Sequence, residues 1–149
     1  MIGELTDREM EAVLRSEIVA RLGCHAEGRT YVVPITYAFD GASIIGHSRL
    51  GLKVDMMRQN PVVCVEVDQI EDPGHWRSVI ARGHYDELEG EAAMDAMERL
   101  VARFESLDLS ETSRPSHGMV EALQAGEGWP DAVVYRIHLE ERTGRYERR

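Results

Sequence analysis

The residues whose types and spacing best suit chemistry fall in one short block, His47-Ser48-Arg49-Leu50-Gly51-Leu52-Lys53. The block runs from a strand end through a tight loop into the start of a helix over Gly51–Gln59, which Asn60-Pro61 stops. A helix start presents unpaired N–H groups and the positive end of the macrodipole, so it can hold an anion. Ser48 adds a hydroxyl, Arg49 and Lys53 add cationic donors, and Gly51 lets the backbone approach closely. These parts can make a phosphate pocket; they also describe a capped helix with ordinary surface charges. Lys53 stands out because the 17 basic residues comprise sixteen arginines and this one lysine.

The other reactive residue types show less pattern. Six histidines (His25, His47, His75, His84, His117 and His138) form no H-x₃-H or H-E-x-x-H pair, and the two cysteines, Cys24 and Cys64, lie far apart, so no zinc spacing is present. Cys24-His25 is an adjacent thiol and imidazole, which act together only if the fold turns them toward each other. There is no G-x-S-x-G elbow, no G-x-G-x-x-G and no Walker A motif. Trp76 and Trp129 suit a core, an interface or a stack on a planar ligand.

The elements that must position these residues read as mainly β. Thr6 and Glu9 form a T-x-x-E capping box, and Met10, Val13 and Leu14 share one face, which predicts a helix over Asp7–Ser16. Strands are predicted over 18–22, 31–39, 43–47, 62–68, 76–88 and 133–139, the fifth bent at Gly83 and the last ending before Thr143-Gly144-Arg145. Glu27-Gly28 and Asp40-Gly41 mark turns, Glu71 to Gly74 reads as a loop, and Pro34 marks an edge, a bulge or a strand end. Met94, Met97, Leu100, Val101 and Phe104 predict a helix over 91–105. Residues 106–131 read as irregular, with a helical turn at Met119–Leu123. Six short strands joined by tight turns, with three helices, indicate an antiparallel barrel in a single domain over 1–149.

Composition narrows the function classes. The 149 residues carry 27 acids and 17 bases, a formal charge of −10, which argues against general nucleic-acid binding. No apolar run approaches a membrane span, and the acidic N-terminal stretch does not read as a signal peptide. A cytoplasmic protein with reduced thiols is the expectation.

Five segments in order carry a further signal: Gly28 to Tyr37 with Asp40-Gly41, His47-Ser48, Gly51-Leu52-Lys53, Asn60 to Asp68, and Trp76 to Gly83. Over roughly residues 5–105 the chain resembles the pyridoxamine 5′-phosphate oxidase-like flavin-binding proteins, and within them the branch that includes nitroimidazole-resistance proteins. The resemblance implies a six-stranded split β-barrel with flanking helices, a homodimer, and one FMN per site in a groove between subunits. It implies that His47, Ser48, Leu52 and Lys53 lie near the FMN phosphate and ribityl chain. Val33, Pro34, Ile35, Thr36 and Tyr37 would follow the isoalloxazine ring, largely through backbone groups. Trp76 and Ser78 would complete the site, and Trp129 would reach the partner's flavin. Arg49 stands where a small residue is usual in the family, and the C-terminal residues lack a clear match to the substrate-phosphate site of the dedicated pyridoxamine phosphate oxidases.

The implied activity is an oxidoreductase acting on a small molecule such as a nitro compound or quinone, the flavin carrying the redox chemistry and the protein orienting it. Tyr37 and His47 are candidate acids, each better suited to positioning. A non-catalytic flavin-binding or sensing module is the alternative, as is a relative holding haem or deazaflavin; haem would need one of the histidines as an axial ligand.

Overall fold

The computed structural model describes residues 1–105, 107, 121 and 131–149. Trp129, His117 and the turn expected at 119–123, apart from Glu121, lie outside the described residues. Among the described residues eleven elements follow in chain order: β1 (Ile2–Glu4), α1 (Asp7–Ser16), β2 (Val19–Ala26), β3 (Arg29–Thr36), β4 (Ala38–Phe39), β5 (Ser43–Arg49), α2 (Leu52–Gln59), β6 (Val62–Asp72), β7 (His75–Leu88), α3 (Gly90–Phe104) and β8 (Ala132–Arg148).

The strands form one antiparallel sheet in the order β3-β2-β6-β7-β8-β5-β4, with β1 on the far part of β8. The two ends of this path, β3 and β4, are separated by Tyr37 alone, whose N–H donates to the Ile18 carbonyl (3.0 Å). The sheet therefore curls round until its ends meet, which makes the split barrel expected of the fold class. It has two strands more than the sequence indicated, because β1 is added and the run over 31–39 breaks at Tyr37.

Alternation explains the core. Ala20, Leu22 and Cys24 of β2, Val63, Val65 and Val67 of β6, Val79, Ala81 and Tyr85 of β7, and Tyr135, Ile137 and Leu139 of β8 all point inward. Met10, Val13 and Leu14 of α1 and Met56 and Met57 of α2 join this core. A second cluster lies between α3 and the outer face of β4, β5 and β8, built on Ile45, Val134, Met97, Leu100 and Phe104. Strand β5 is thus buried on both faces, Ile44 inward and Ile45 under α3. The outer face of β2, β6 and β7 carries no helix among the described residues.

Local signals account for most boundaries. The Thr6 hydroxyl accepts from Glu9 N–H (3.2 Å) and the Glu9 carboxylate accepts from Thr6 N–H (3.0 Å), so both halves of the capping box form. Glu27 and Gly28 both take positive φ (52° and 75°), the pattern that joins two twisted strands by a tight turn. The Asp40 carboxylate accepts from Ala42 and Ser43 N–H at the next hairpin. β7 slips register at Arg82/Gly83, where the Gly83 Cα lies against the His138 carbonyl and leaves no room for a Cβ.

Two expectations are corrected. Glu71 and Asp72 belong to β6, and only Pro73-Gly74 forms the turn, held by Gly74 N–H donating to Asp72 (2.7 Å). β8 does not end before Thr143 but runs to Arg148, pairing with β7 on one side and β1 on the other. Backbone ladders need no apolar side chains, so Glu140 to Arg148 is a strand despite its polarity. No described helix is long and apolar enough to cross a membrane.

Candidate functional site

The loop between β5 and α2 puts the sequence-predicted block at one end of the barrel. β5 ends at Arg49, paired with Ala132, and the N–H of Leu50 donates to the Asp131 carbonyl (2.9 Å). Gly51 is the N-cap of α2 and offers no side chain to the first-turn N–H groups. Leu50 and Leu52 are exposed on either side of it. Lys53, one residue into the helix, is half-buried and makes no hydrogen bond or ion pair with any described residue. Burial pulls its ammonium below the usual lysine value, opposed by the Cys24 thiol beside it. A half-buried cation next to uncapped helix N–H groups is a cradle for an anion.

The other predicted residues of this end divide. Ser48 is buried, and its hydroxyl donates to the Arg49 carbonyl (2.7 Å), so it braces the loop. His47 is half-buried on β5 opposite Val134, and Arg49 is exposed at the mouth. Cys24 and His25 do not meet. Cys24 points into the core, where burial pushes its thiol up, whereas the His25 ring turns out to the Thr30 hydroxyl (3.1 Å).

Strand β3 carries Val33 to Thr36 along an edge of the sheet, bonded to β2 on one side only. The side chain of Ile35 is buried and that of Val33 half-buried against the core, while Pro34 is exposed and Thr36 half-exposed. Its other backbone edge has no partner strand among the described residues, which suits hydrogen bonds to a planar polar ring. Pro34, with no N–H, sits at an edge as the physics requires. Tyr37 is fully buried, its hydroxyl donating to the Leu14 carbonyl (2.6 Å), and burial pushes its phenol well above the usual range. It positions β3 against α1.

Trp76 and Ser78 lie elsewhere. Gly23, next to Cys24, pairs with Cys64, and Cys64 pairs with Arg82. Trp76 is six residues up β7 from Arg82, so about 20 Å separates its level from that of Lys53. The Trp76 indole N–H donates to Glu147 of β8 (3.0 Å). It borders a cavity of about 170 Å³ with His75, Arg77, Tyr146, Glu147 and Arg148 among its walls. The Ser78 hydroxyl donates to Glu66 (2.9 Å), whose carboxyl also lies 3.7 Å from the Arg21 guanidinium. Arg21 meets Asp68 at 3.1 Å. Burial, and then the neighbouring Asp68, push the Glu66 carboxyl up, with Ser78 and Arg21 opposing. Sequence reasoning missed Glu66, Tyr146 and Glu147. The one available signal was the parity of β6, which sets Glu66 and Asp68 on its outer face between Val63, Val65 and Val67.

With this geometry in place, comparison with known proteins assigns the family. A family model described as pyridoxamine 5′-phosphate oxidase matches residues 6–146. The chain belongs to that family. An uncharacterized protein of Rhizobium meliloti is 28% identical over 141 residues, covering 95% of this chain and 92% of that one. The crystal structure of a protein described as FAD-binding from Mesorhizobium loti superposes with a TM-score of 0.75 at 28% identity, covering 100% of this chain and 98% of that one. A structure described as a putative 5-nitroimidazole antibiotic resistance protein from Bacteroides thetaiotaomicron reaches 0.74 at 18% identity, covering 98% and 87%. At that identity the likeness speaks for the split barrel alone.

Proposed function

We propose that the protein binds FMN between two copies of itself and serves as an oxidoreductase for a small acceptor of the nitro-compound or quinone class. The observation that carries this reading is Lys53: the sole lysine, half-buried, unpaired among the described residues, at an uncapped helix start. Family membership and the description of the Mesorhizobium relative support a flavin as the anion's owner.

When bound, the flavin supplies the electron transfer. Lys53 and the first N–H groups of α2 bind its phosphate, and Leu52 shields them from water. Arg49 adds positive charge at the mouth. The backbone of β3 over Val33–Ile35, at the outer edge of the sheet, orients the ring. Trp76 and Ser78, toward the turn end of the β6–β7 ladder, complete the site of a second copy. Tyr37 is engaged with Leu14 and moves no proton; His47 positions the loop. The setting is cytoplasmic, where Cys24 and Cys64 stay reduced, both being free thiols.

The absorbance spectrum of freshly purified protein, followed by mass spectrometry of what heat releases, tests the cofactor. A flavin spectrum with FMN in the supernatant is expected. FAD in its place, which the Mesorhizobium relative favours, moves the reading to the longer cofactor and keeps the cradle. A Soret band, or a colourless protein that ignores added FMN, refutes it. NAD(P)H consumption with a nitroaromatic acceptor separates an enzyme from a non-catalytic flavin carrier, which shows no turnover.

A further inference from the structure

The cavity at the turn end opens on the side of the sheet away from Ser78 and Glu66. Arg77 shares its parity on β7 with the core residues Val79 and Ala81. On β8, Tyr146 stands beside Arg77 and Arg148 beside His75, so all four line this inner face. Glu9, in the first turn of α1, completes the wall. Gln69, level with Arg77 on β6, ties the far end of α1 to the sheet by donating to the Ser16 hydroxyl (2.7 Å). Trp76 and Glu147 reach the rim from the outer face, joined by the indole bond.

The charged groups here are spent unevenly. The Glu9 carboxylate accepts from Thr6 N–H (3.0 Å), and the Glu147 carboxylate accepts from the Trp76 indole. The guanidiniums of Arg77 and Arg148 make no hydrogen bond or ion pair among the described residues. Arg148 instead rests over the Tyr146 ring, 5.1 Å from its centre. The two arginines occupy diagonal positions on neighbouring strands, about 7–8 Å apart and within joint reach of one small group. Both are aimed at the same space: after the larger effect of its bonds to Thr6, the Glu9 carboxyl is held down further by Arg77 and Arg148. Their donors are left for a ligand.

We infer that this cavity binds a small aromatic carboxylate, the carboxylate bridging Arg77 and Arg148 and the ring lying against Trp76 and Tyr146. The inference goes beyond the flavin reading and does not rest on it. Size limits the ligand, because about 170 Å³ falls well short of the roughly 300–1,000 Å³ of sites for drug-sized molecules. A single ring is what such a space accepts. Charge limits it further. The guanidinium fork matches a carboxylate and repels an amine. Glu71 and Glu147 on the same walls disfavour a dianion such as phosphate. The two aromatic walls favour a flat ring over an aliphatic chain.

Benzoate is the probe, added to the protein as purified. The indole N–H resonance of Trp76 is followed by NMR and told from that of Trp129 with a Trp129→Phe variant. A saturable shift is expected, with a dissociation constant of about 1 mM, the scale for a one-ring ligand. Arg77→Gln and Arg148→Gln should each weaken binding roughly 10-fold or more. Both residues are exposed, so the melting temperature should hold. Benzylamine and inorganic phosphate should each bind at least about tenfold more weakly than benzoate. Lys53→Met should leave benzoate affinity within about twofold, and Arg77→Gln should do the same for FMN. An indole resonance that does not move, or moves without saturating, overturns the assignment. So does full affinity in both arginine variants, or phosphate or benzylamine binding as tightly as benzoate. Loss of benzoate in Lys53→Met would place it in the cradle, and loss of FMN in Arg77→Gln would merge the cavity with the flavin site; either result also overturns the assignment.

Discussion

The turn end of the β6–β7 ladder and the Lys53 cradle treat their polar groups in opposite ways. At the turn end nearly every group is tied to a neighbour: Trp76 to Glu147, His75 and Arg149 to Asp72, Ser78 to Glu66, and the Arg148 guanidinium over the Tyr146 ring (5.1 Å). At the cradle end Lys53 has no described partner, Gly51 gives the helix start no side-chain cap, and two leucines are left exposed. Folding alone does not reward that arrangement, because a half-buried unpaired cation costs free energy. Groups left unsatisfied by the fold are those a ligand would satisfy. At the tied end the indole N–H of Trp76 is held by the Glu147 carboxylate.

The sharpest way to break this contrast is Lys53→Met. The loss of a charged hydrogen bond to phosphate should weaken FMN binding roughly 10- to 100-fold, read by quenching of flavin fluorescence. Stability without FMN should be unchanged or higher, since a poorly solvated charge is removed. Equal affinity would mean that the cradle holds no phosphate. A loss of stability alone would mean that Lys53 is a structural residue like those at the turn end.

Behind the cradle the packing is unforgiving. Gly46 lies under the Tyr135 ring, and a Cβ there would sit 2.5 Å from its Cζ and hydroxyl. Tyr135 is fully buried between β5 and β7, its ring 5.5 Å from that of Tyr85. Gly46→Ala should therefore cost about 1–3 kcal/mol in a urea titration, and unchanged stability would show that the ring can move aside. A smaller effect is expected from Tyr37→Phe, which removes the bond to Leu14 and should cost about 1 kcal/mol. FMN affinity should stay within about twofold of the parent, because the hydroxyl faces α1 and not the cradle; a larger change would return Tyr37 to the site.

What could be read from the sequence was local. The capping box at Thr6 and Glu9, the turn at Glu27-Gly28 and the helix start at Gly51 each depend on residues within four positions of one another, so composition and spacing specify them. The passage from β5 through Gly51 into α2, with Lys53 in its first turn, was legible for the same reason. The long reach of β8 was not, since its polar half is held by ladders to β7 and β1 rather than by an apolar face. Nor were the partners of the turn end: Trp76 and Glu147 are 71 positions apart, and only the fold brings them together. Ser48 shows the limit within that block, because its hydroxyl is taken up by the Arg49 carbonyl of the loop itself.

The smallest effect separates two carboxyls of the same strand. Glu66, mid-strand on the outer face, is pushed up chiefly by burial, whereas Asp72, at the turn, is held down chiefly by the Gly74 N–H, with His75 and Arg149 assisting. The folded protein therefore binds a proton at Glu66 more readily than the unfolded chain does. Its contribution to stability is full below the unfolded value and is lost as pH rises through the raised folded value. Asp72 has the opposite sign: its contribution is full above the unfolded value and is lost as pH falls through the depressed one. Melting temperature against pH should show both limbs. Glu66→Gln should flatten the loss on the upper side of the carboxylate range, and Asp72→Asn the loss on the acid side, each leaving the other limb in place. A limb that Glu66→Gln leaves untouched would place the proton elsewhere and make the outer face a bystander in the stability of the fold.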